Sequence, residues 1–238
     1  MPTTPEGFQQ RVKDLKGDMV EQVHRVQTLM ERSFEAIFNR DELSAKHLIQ
    51  SDDEIDRVDV AIEKSAVKLL EDATRDSACL TEQQLREIFT VVKVNNEVER
   101  IADLAVEILG HVPILTTLSE ETPATFRVLT NSVVGIVRDA AGSYDNADAN
   151  LARVVLSSDN AVSMFTNKLL REAEERLVAG TLTVDMAFIL LDLARRSQRM
   201  ADHASNVAEQ VIYQTTGTIV RHTVAGWVDN TSNGPQAT

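Results

Sequence analysis

The sequence predicts an all-α protein built as two tandem three-helix bundles, and three observations carry that expectation. Glycine (9) and proline (5) are scarce among 238 residues and aromatics make up only 4%, a poor supply for turn-rich sheets. Apolar residues recur at spacings of three and four over runs longer than an average globular helix. The phrase VNNEVERIADLAVEIL at residues 94–109 returns about a hundred residues later as ARRSQRMADHASNVAEQVI at 194–212, so one unit is written twice.

The elements follow in order. Residues 1–5 read as a short disordered lead. Over 6–39 the positions Val12, Leu15, Met19, Val23, Val26, Met30 and Ile37 keep helical spacing. After the tight connection Asn39-Arg40-Asp41, a second helix spans 41–75, where Leu48, Ile55, Ile62 and Leu69 repeat every seven residues, the period of left-handed coiled-coil-like packing. The loop DATRDSACLTEQ ends in Thr81 with Gln84 three residues later, a capping box for a third helix over 82–109. Gly110 and Pro113 are expected to stop that helix, with 110–122 as a linker. A second trio is expected over 123–145, 147–178 and 183–214. The domains are therefore 6–110, 123–216 and a tail 217–238, ordered as a strap to Trp227 and disordered beyond. Met19, Met30, Met164, Met186 and Met200 are assigned to the core.

Aligning the halves makes the duplication concrete. Shifting by 107 places Leu29 on Ile136, Asp41 on Asp148, Asp52 on Asp159 and Ile55 on Val162. Shifting by 99 places Phe89 on Phe188, Val94 on Leu193, Ile101 on Met200 and Asp103 on Asp202. The difference between the shifts falls in the loop between second and third helices, where length changes are tolerated.

Composition narrows function. A net charge of −13 argues against nucleic acid, which needs a basic face, and against adhesion to anionic lipid. The single Cys79 allows no intrachain disulfide and suits a reducing compartment. MPTTPEGFQQRVKDLK shows no secretory signal, and no apolar run approaches the ~18 residues of a membrane span. A cytoplasmic chain is expected, touching membranes only through partners. No Walker motif, dinucleotide fingerprint or nucleophile elbow is present, so no organic cofactor, nucleophile or general base is proposed.

Two acidic stripes supply the candidate chemistry. Asp52 and Asp56, continued by Asp59 and Glu63, lie on the second helix; Glu99 and Asp103, with Glu107, lie on the third. Residues four apart face the same way, so if these helices pack antiparallel with the stripes level, Asp52, Asp56, Glu99 and Asp103 converge. Such a patch is a hard-oxygen site for divalent or trivalent cations. The bland alternative is a solvated face salt-bridged to Lys64, Lys93 or Arg100. Glu21 and His24 spell half of a di-iron motif that has no second copy, and His203 and His222 are single histidines, more often hydrogen-bonded than ligating.

A duplicated three-helix bundle carrying NNEVERIADLAVEIL, QRMADHASNVAEQVIY, DDEID on the second helix and a closing TGTIVRH at 216–222 resembles the PhoU family, phosphate-signalling proteins that work with the bacterial phosphate-uptake transporter. The resemblance runs from Phe8 to His222. It implies a cytosolic, usually homodimeric, helical negative regulator of the phosphate-starvation response that contacts the transporter ATPase and a sensor histidine kinase. It also implies metal clusters, often iron, on paired E/D-x-x-x-D motifs, which map here onto Asp52, Asp56, Glu99 and Asp103. The second half departs from the pattern: Ser163 stands for Asp56 and Gln198 for Glu99, leaving Asp159 and Asp202. A weaker, smaller or empty second site is expected there, with Asn206 as a supplementary oxygen donor. Two other classes stay open at this point, a metal-dependent enzyme using the carboxylate cluster and a purely structural helical scaffold.

Overall fold

The chain enters its first helix sooner than the expected lead allows. Thr4 Oγ1 accepts a hydrogen bond from the Gly7 amide at 3.1 Å and Pro5 occupies the first helical turn, so α1 spans Pro5–Asn39 in this computed structural model. Residues 4–223 and 226–230 are described, with the side chains of Pro5, Asp159 and the strand residues from His222 onward outside that description.

Matched caps start the later helices. Asp41 accepts from the amides of Leu43 and Ser44 to open α2 (Glu42–Arg75), and Asp148 accepts from Asn150 and Leu151 to open α6 (Ala149–Val178). Each follows a residue in the left-handed region, Arg40 (φ 53°) after α1 and Ala147 (φ 50°) after α5 (Ala124–Asn146). Ala147, expected to begin the helix, instead ends the preceding one. Thr81 and Gln84 form the reciprocal capping box of α3 (Glu82–Leu109), and Thr183 caps α7 (Val184–Thr216) through the Met186 amide.

Gly110 ends α3 as expected, capping it after Leu109. It keeps right-handed helical angles (φ −59°, ψ −20°), and a short helix, α4 (Val112–Leu115), follows with Pro113 in its first turn. A missing amide costs nothing in a first helical turn, and burial of Val112 and Leu115 holds the segment down. The rest of the linker is tied as well: the Arg40 guanidinium donates to the carbonyls of Leu118 and Glu120, and the Glu120 carboxylate accepts from the Thr183 amide at 3.0 Å.

Helices α1–α3 form one bundle and α5–α7 the other. The seven-residue repeat Leu48, Ile55, Ile62 and Leu69 is buried, as are Val94, Val98, Ile101, Ala105 and Ile108. Met164 corrects the core assignment at 59% exposed. Val162 takes the inward position that aligns with Ile55, and two residues further along a helix points to the opposite side.

The bundles meet along counterpart helices, α1 against α5 and α3 against α7. Glu31 pairs with Arg138 at 3.0 Å across the first seam. Across the second, Asn206 donates to Glu97 at 2.9 Å while Arg196 pairs with Glu107. The shift of 99 maps Glu97 onto Arg196 and Glu107 onto Asn206, so the two contacts exchange with each other, the signature of a pseudo-twofold axis.

Gly217 (φ 75°) ends α7, and the tail folds back as an antiparallel hairpin of β1 (Ile219–Thr223) and β2 (Gly226–Asn230), running past Trp227. Val220 is buried and Arg221 pairs with Glu209 on α7 at 2.6 Å. Where disorder is expected beyond Trp227, residues 228–230 instead continue β2, and those from 231 onward lie outside the described residues. Among the described residues no helix is long and apolar enough to cross a membrane.

Candidate functional site

Helices α2 and α3 run antiparallel, and a buried amide sets their register. Asn95, 1% exposed, donates from Nδ2 to Asp59 Oδ1 at 2.6 Å and to the Asp59 carbonyl at 3.1 Å. One turn earlier on α2, Gln22 from α1 donates to the Ile55 carbonyl at 2.8 Å. These bonds level the two acidic stripes.

Asp52, Asp56 and Asp59 on one helix are thereby brought near Glu99 and Asp103 on the other, and the carboxyls act on one another. Partial burial, then the charges of Asp56, Asp103 and Asp53, push Asp52 up to about 6. Burial followed by Glu63, Asp56 and Asp103 raises Asp59. Burial and Asp103 raise Glu99, against the opposing pull of Arg100. One oxygen of Asp52 is buried and receives no hydrogen bond. Arg100 is the cation on the face: its Nη1 lies 3.1 Å from Asp103 Oδ2 and its Nε 3.4 Å from Glu99 Oε2. Lys93 instead lies over the Tyr213 ring.

Among the described residues no three His, Cys, Asp or Glu side chains stand close enough to hold a metal ion as they are placed. The face is therefore a carboxylate surface and not a ready-made cage. Its chemistry still fits a hard cation: the donors are carboxylate oxygens, one is buried without a hydrogen-bond donor, and a guanidinium already stands in as counter-charge.

The second bundle keeps the register and loses the charge. Gln198 Nε2 donates to Ser163 Oγ at 3.4 Å, so the residues aligned with Glu99 and Asp56 face each other as a neutral pair. Asp202 is exposed on α7, and the Asp159 side chain lies outside the described residues. Asn206 is not directed to a second site: its amide donates across the seam to Glu97, because that position on α7 faces α3.

The sequence reading missed Glu97. His203 Nδ1 lies 2.7 Å from Glu97 Oε2, which also accepts from Asn206. Burial acts to raise the Glu97 carboxyl, yet the hydrogen bonds from His203 and Asn206 hold it below its ordinary value. The signal was available in the alignment, where Glu97 falls on a residue of opposite charge, Arg196. Also missed was the exposure of the aligned phenylalanines. Phe89 is 59% and Phe188 66% exposed, each one helical turn after another exposed apolar residue, Leu85 or Val184. Each bundle thus presents the same apolar pair to solvent.

A family model of the PhoU domain matches this chain twice, over residues 20–112 and 126–211. The chain is 28% identical over 229 residues to a Thermotoga maritima protein named phosphate-specific transport system accessory protein PhoU homolog 1, covering 95% of this chain and 96% of that protein. It is 26% identical over 218 residues to a PhoU homolog of Pseudomonas aeruginosa, covering 90% and 88%. The crystal structure of PhoU from Pseudomonas aeruginosa superposes with a TM-score of 0.81 at 24% identity, over 89% of this chain and 100% of that one. The phosphate transport system regulatory protein PhoU from Streptococcus pneumoniae gives 0.78 at 18% identity, over 90% and 99%. At those identities the two structures establish the fold alone.

Proposed function

The chain belongs to the PhoU domain family, and from that premise we propose that it is a cytoplasmic negative regulator of phosphate uptake and phosphate-starvation signalling. The observation that carries this is the near end-to-end match, through both repeats, to a protein named as an accessory of phosphate-specific transport. The relatives are named as accessory or regulatory proteins, which supports a binding role over catalysis. The chain would act as a homodimeric adaptor for the transporter ATPase and a sensor histidine kinase, reaching the membrane only through them. Docking to one state of a partner in preference to another biases that partner's equilibrium by the difference in affinity. The exposed pairs Leu85–Phe89 and Val184–Phe188 supply apolar surface, each with a phenylalanine of the aromatic type enriched at interfaces.

The residues that would hold a divalent or trivalent ion, or the iron cluster usual in the family, are Asp52, Asp56, Glu99 and Asp103. A bound cation would offset the repulsion among these carboxylates and fix α2 against α3, so its role would be structural and electrostatic. Asp59 is held apart for another task, since its oxygen accepts from Asn95.

Affinity capture of tagged protein from phosphate-replete cells tests the reading. Recovery of the transporter ATPase or the sensor kinase by the native protein, with at least tenfold loss in the Phe89→Ser, Phe188→Ser variant, is the expected result. Recovery of neither partner by the native protein would overturn it.

A further inference from the structure

The carboxylate face contains its own cation. Arg100 sits between Glu99 and Asp103 on one helix, and its guanidinium reaches both, at 3.4 Å and 3.1 Å. These are the α3 carboxylates that a metal ion would need, and they face Asp52 and Asp56 on α2. We propose that Arg100 is a built-in latch on this site: it neutralises Glu99 and Asp103 in the metal-free protein and must leave them for a cation to bind, so that one guanidinium sets the site's metal affinity. The inference rests on the metal-binding reading above and adds the residue that regulates it.

Three observations favour a latch over a fixed structural bridge. The Arg100 side chain is 50% exposed and Asp103 is 38% exposed, so this is a solvent-screened pair of the weak kind that a multivalent ion can displace. Among the described residues Arg100 bonds only to carboxylates of its own helix, at one and three residues' separation, so swinging it outward breaks no described contact between helices. Asp52 Oδ1, buried on the facing helix, is left without a donor, so the guanidinium does not complete the site that it occupies.

The second bundle is the natural comparison. The shift of 99 places Arg199 at the latch position, while Gln198 and Ser163 have replaced two of the carboxylates and bond to each other. That half retains a guanidinium and has lost the multidentate acid set it would guard.

Titration of chelator-treated protein with Mn²⁺, followed by calorimetry, is the test. Three proteins are compared: native, Arg100→Gln, and Glu99→Ala with Asp103→Ala. Removing a unit positive charge within a few ångströms of a divalent ion is expected to tighten Mn²⁺ binding by about tenfold. Arg100→Gln binding at least threefold tighter than native, or binding where native does not, supports the latch, provided the double alanine variant has lost Mn²⁺ binding. Equal or weaker binding by Arg100→Gln, with native protein binding normally, overturns the latch and leaves the metal site standing. No binding by either native protein or Arg100→Gln overturns the metal site and the latch together.

Discussion

The faces that α2 shares with α3, and α6 with α7, have the same backbone register and opposite electrostatics. In the first bundle Asp52, Asp56, Glu99 and Asp103 share one face, where partial burial and then the charges of Asp56, Asp103 and Asp53 raise Asp52 to about 6. In the second, Gln198 and Ser163 occupy the equivalent of the Glu99–Asp56 pair and satisfy each other with a hydrogen bond. Like charges on adjacent turns cost a few tenths of a kcal/mol per pair, whereas an amide facing a hydroxyl costs nothing. The comparison teaches that helix packing did not need the carboxylates. The second bundle holds its register without them, so the acid-rich face of the first is there for something other than the fold.

The largest effect that could break this comparison is in metal content. Glu99→Ala with Asp103→Ala is expected to remove at least nine-tenths of the metal found by elemental analysis of purified protein, while Asp202→Ala changes it little. Transplanting the acids, as Ser163→Asp with Gln198→Glu, is expected to add a second equivalent. Equal metal in the native and double alanine proteins would reject the assignment of the first site.

A smaller effect sharpens the contrast at the α3–α7 seam. Glu97→Gln removes a mostly buried charge that accepts from His203 and Asn206, and urea unfolding at pH 7 is expected to show a loss of about 2 kcal/mol. Glu107→Gln acts on the pseudo-symmetric contact, through a side chain 50% exposed, and is expected to cost under about 1 kcal/mol. Equal losses would mean that the two ends of the seam are energetically alike.

The smallest effect concerns pH. Asp52 titrates near 6 in the folded chain against 3.8 ordinarily, so the folded state holds its proton more tightly than the unfolded state does. Stability therefore falls as pH rises from about 4 to 6, and the penalty persists above that range. Asp52→Asn cannot ionise. In metal-free protein it is expected to gain about 1 kcal/mol at pH 8, after allowance for solvent screening at a partly buried site, and nothing at pH 4. A gain that does not depend on pH would show that ionisation of Asp52 is not its source.

Periodicity and caps made most of the fold readable. The heptad through Leu48 and Leu69 and the capping box at Thr81 are local signals that tertiary packing left intact. The linker after Gly110 hid a short helix, because burial of Val112 and Leu115 holds a turn that Pro113 is free to open. Met164 misled because an apolar residue carries no label for the face it takes. At the site, spacing placed the two stripes on their helices and the antiparallel register brought them level. The Arg100 bridge, the Glu97 cluster and the turning of Asn206 toward α3 depend on rotamers and on contacts between the repeats, which no single-helix pattern contains.

The Glu31–Arg138 bridge bears on how such a molecule arose. The shift of 107 maps Glu31 onto Arg138, so this pair lies where the axis brings a position against its own counterpart. An ancestor made of one bundle, pairing with a second copy about the same axis, would set two identical side chains face to face there: two glutamates or two arginines, repelling each other. Opposite charges at that place can be encoded only once the two copies are separate sequences, as the two halves of this chain are. The bridge is thus a contact that duplication and divergence made possible, and it marks a point at which the halves of this chain ceased to be interchangeable.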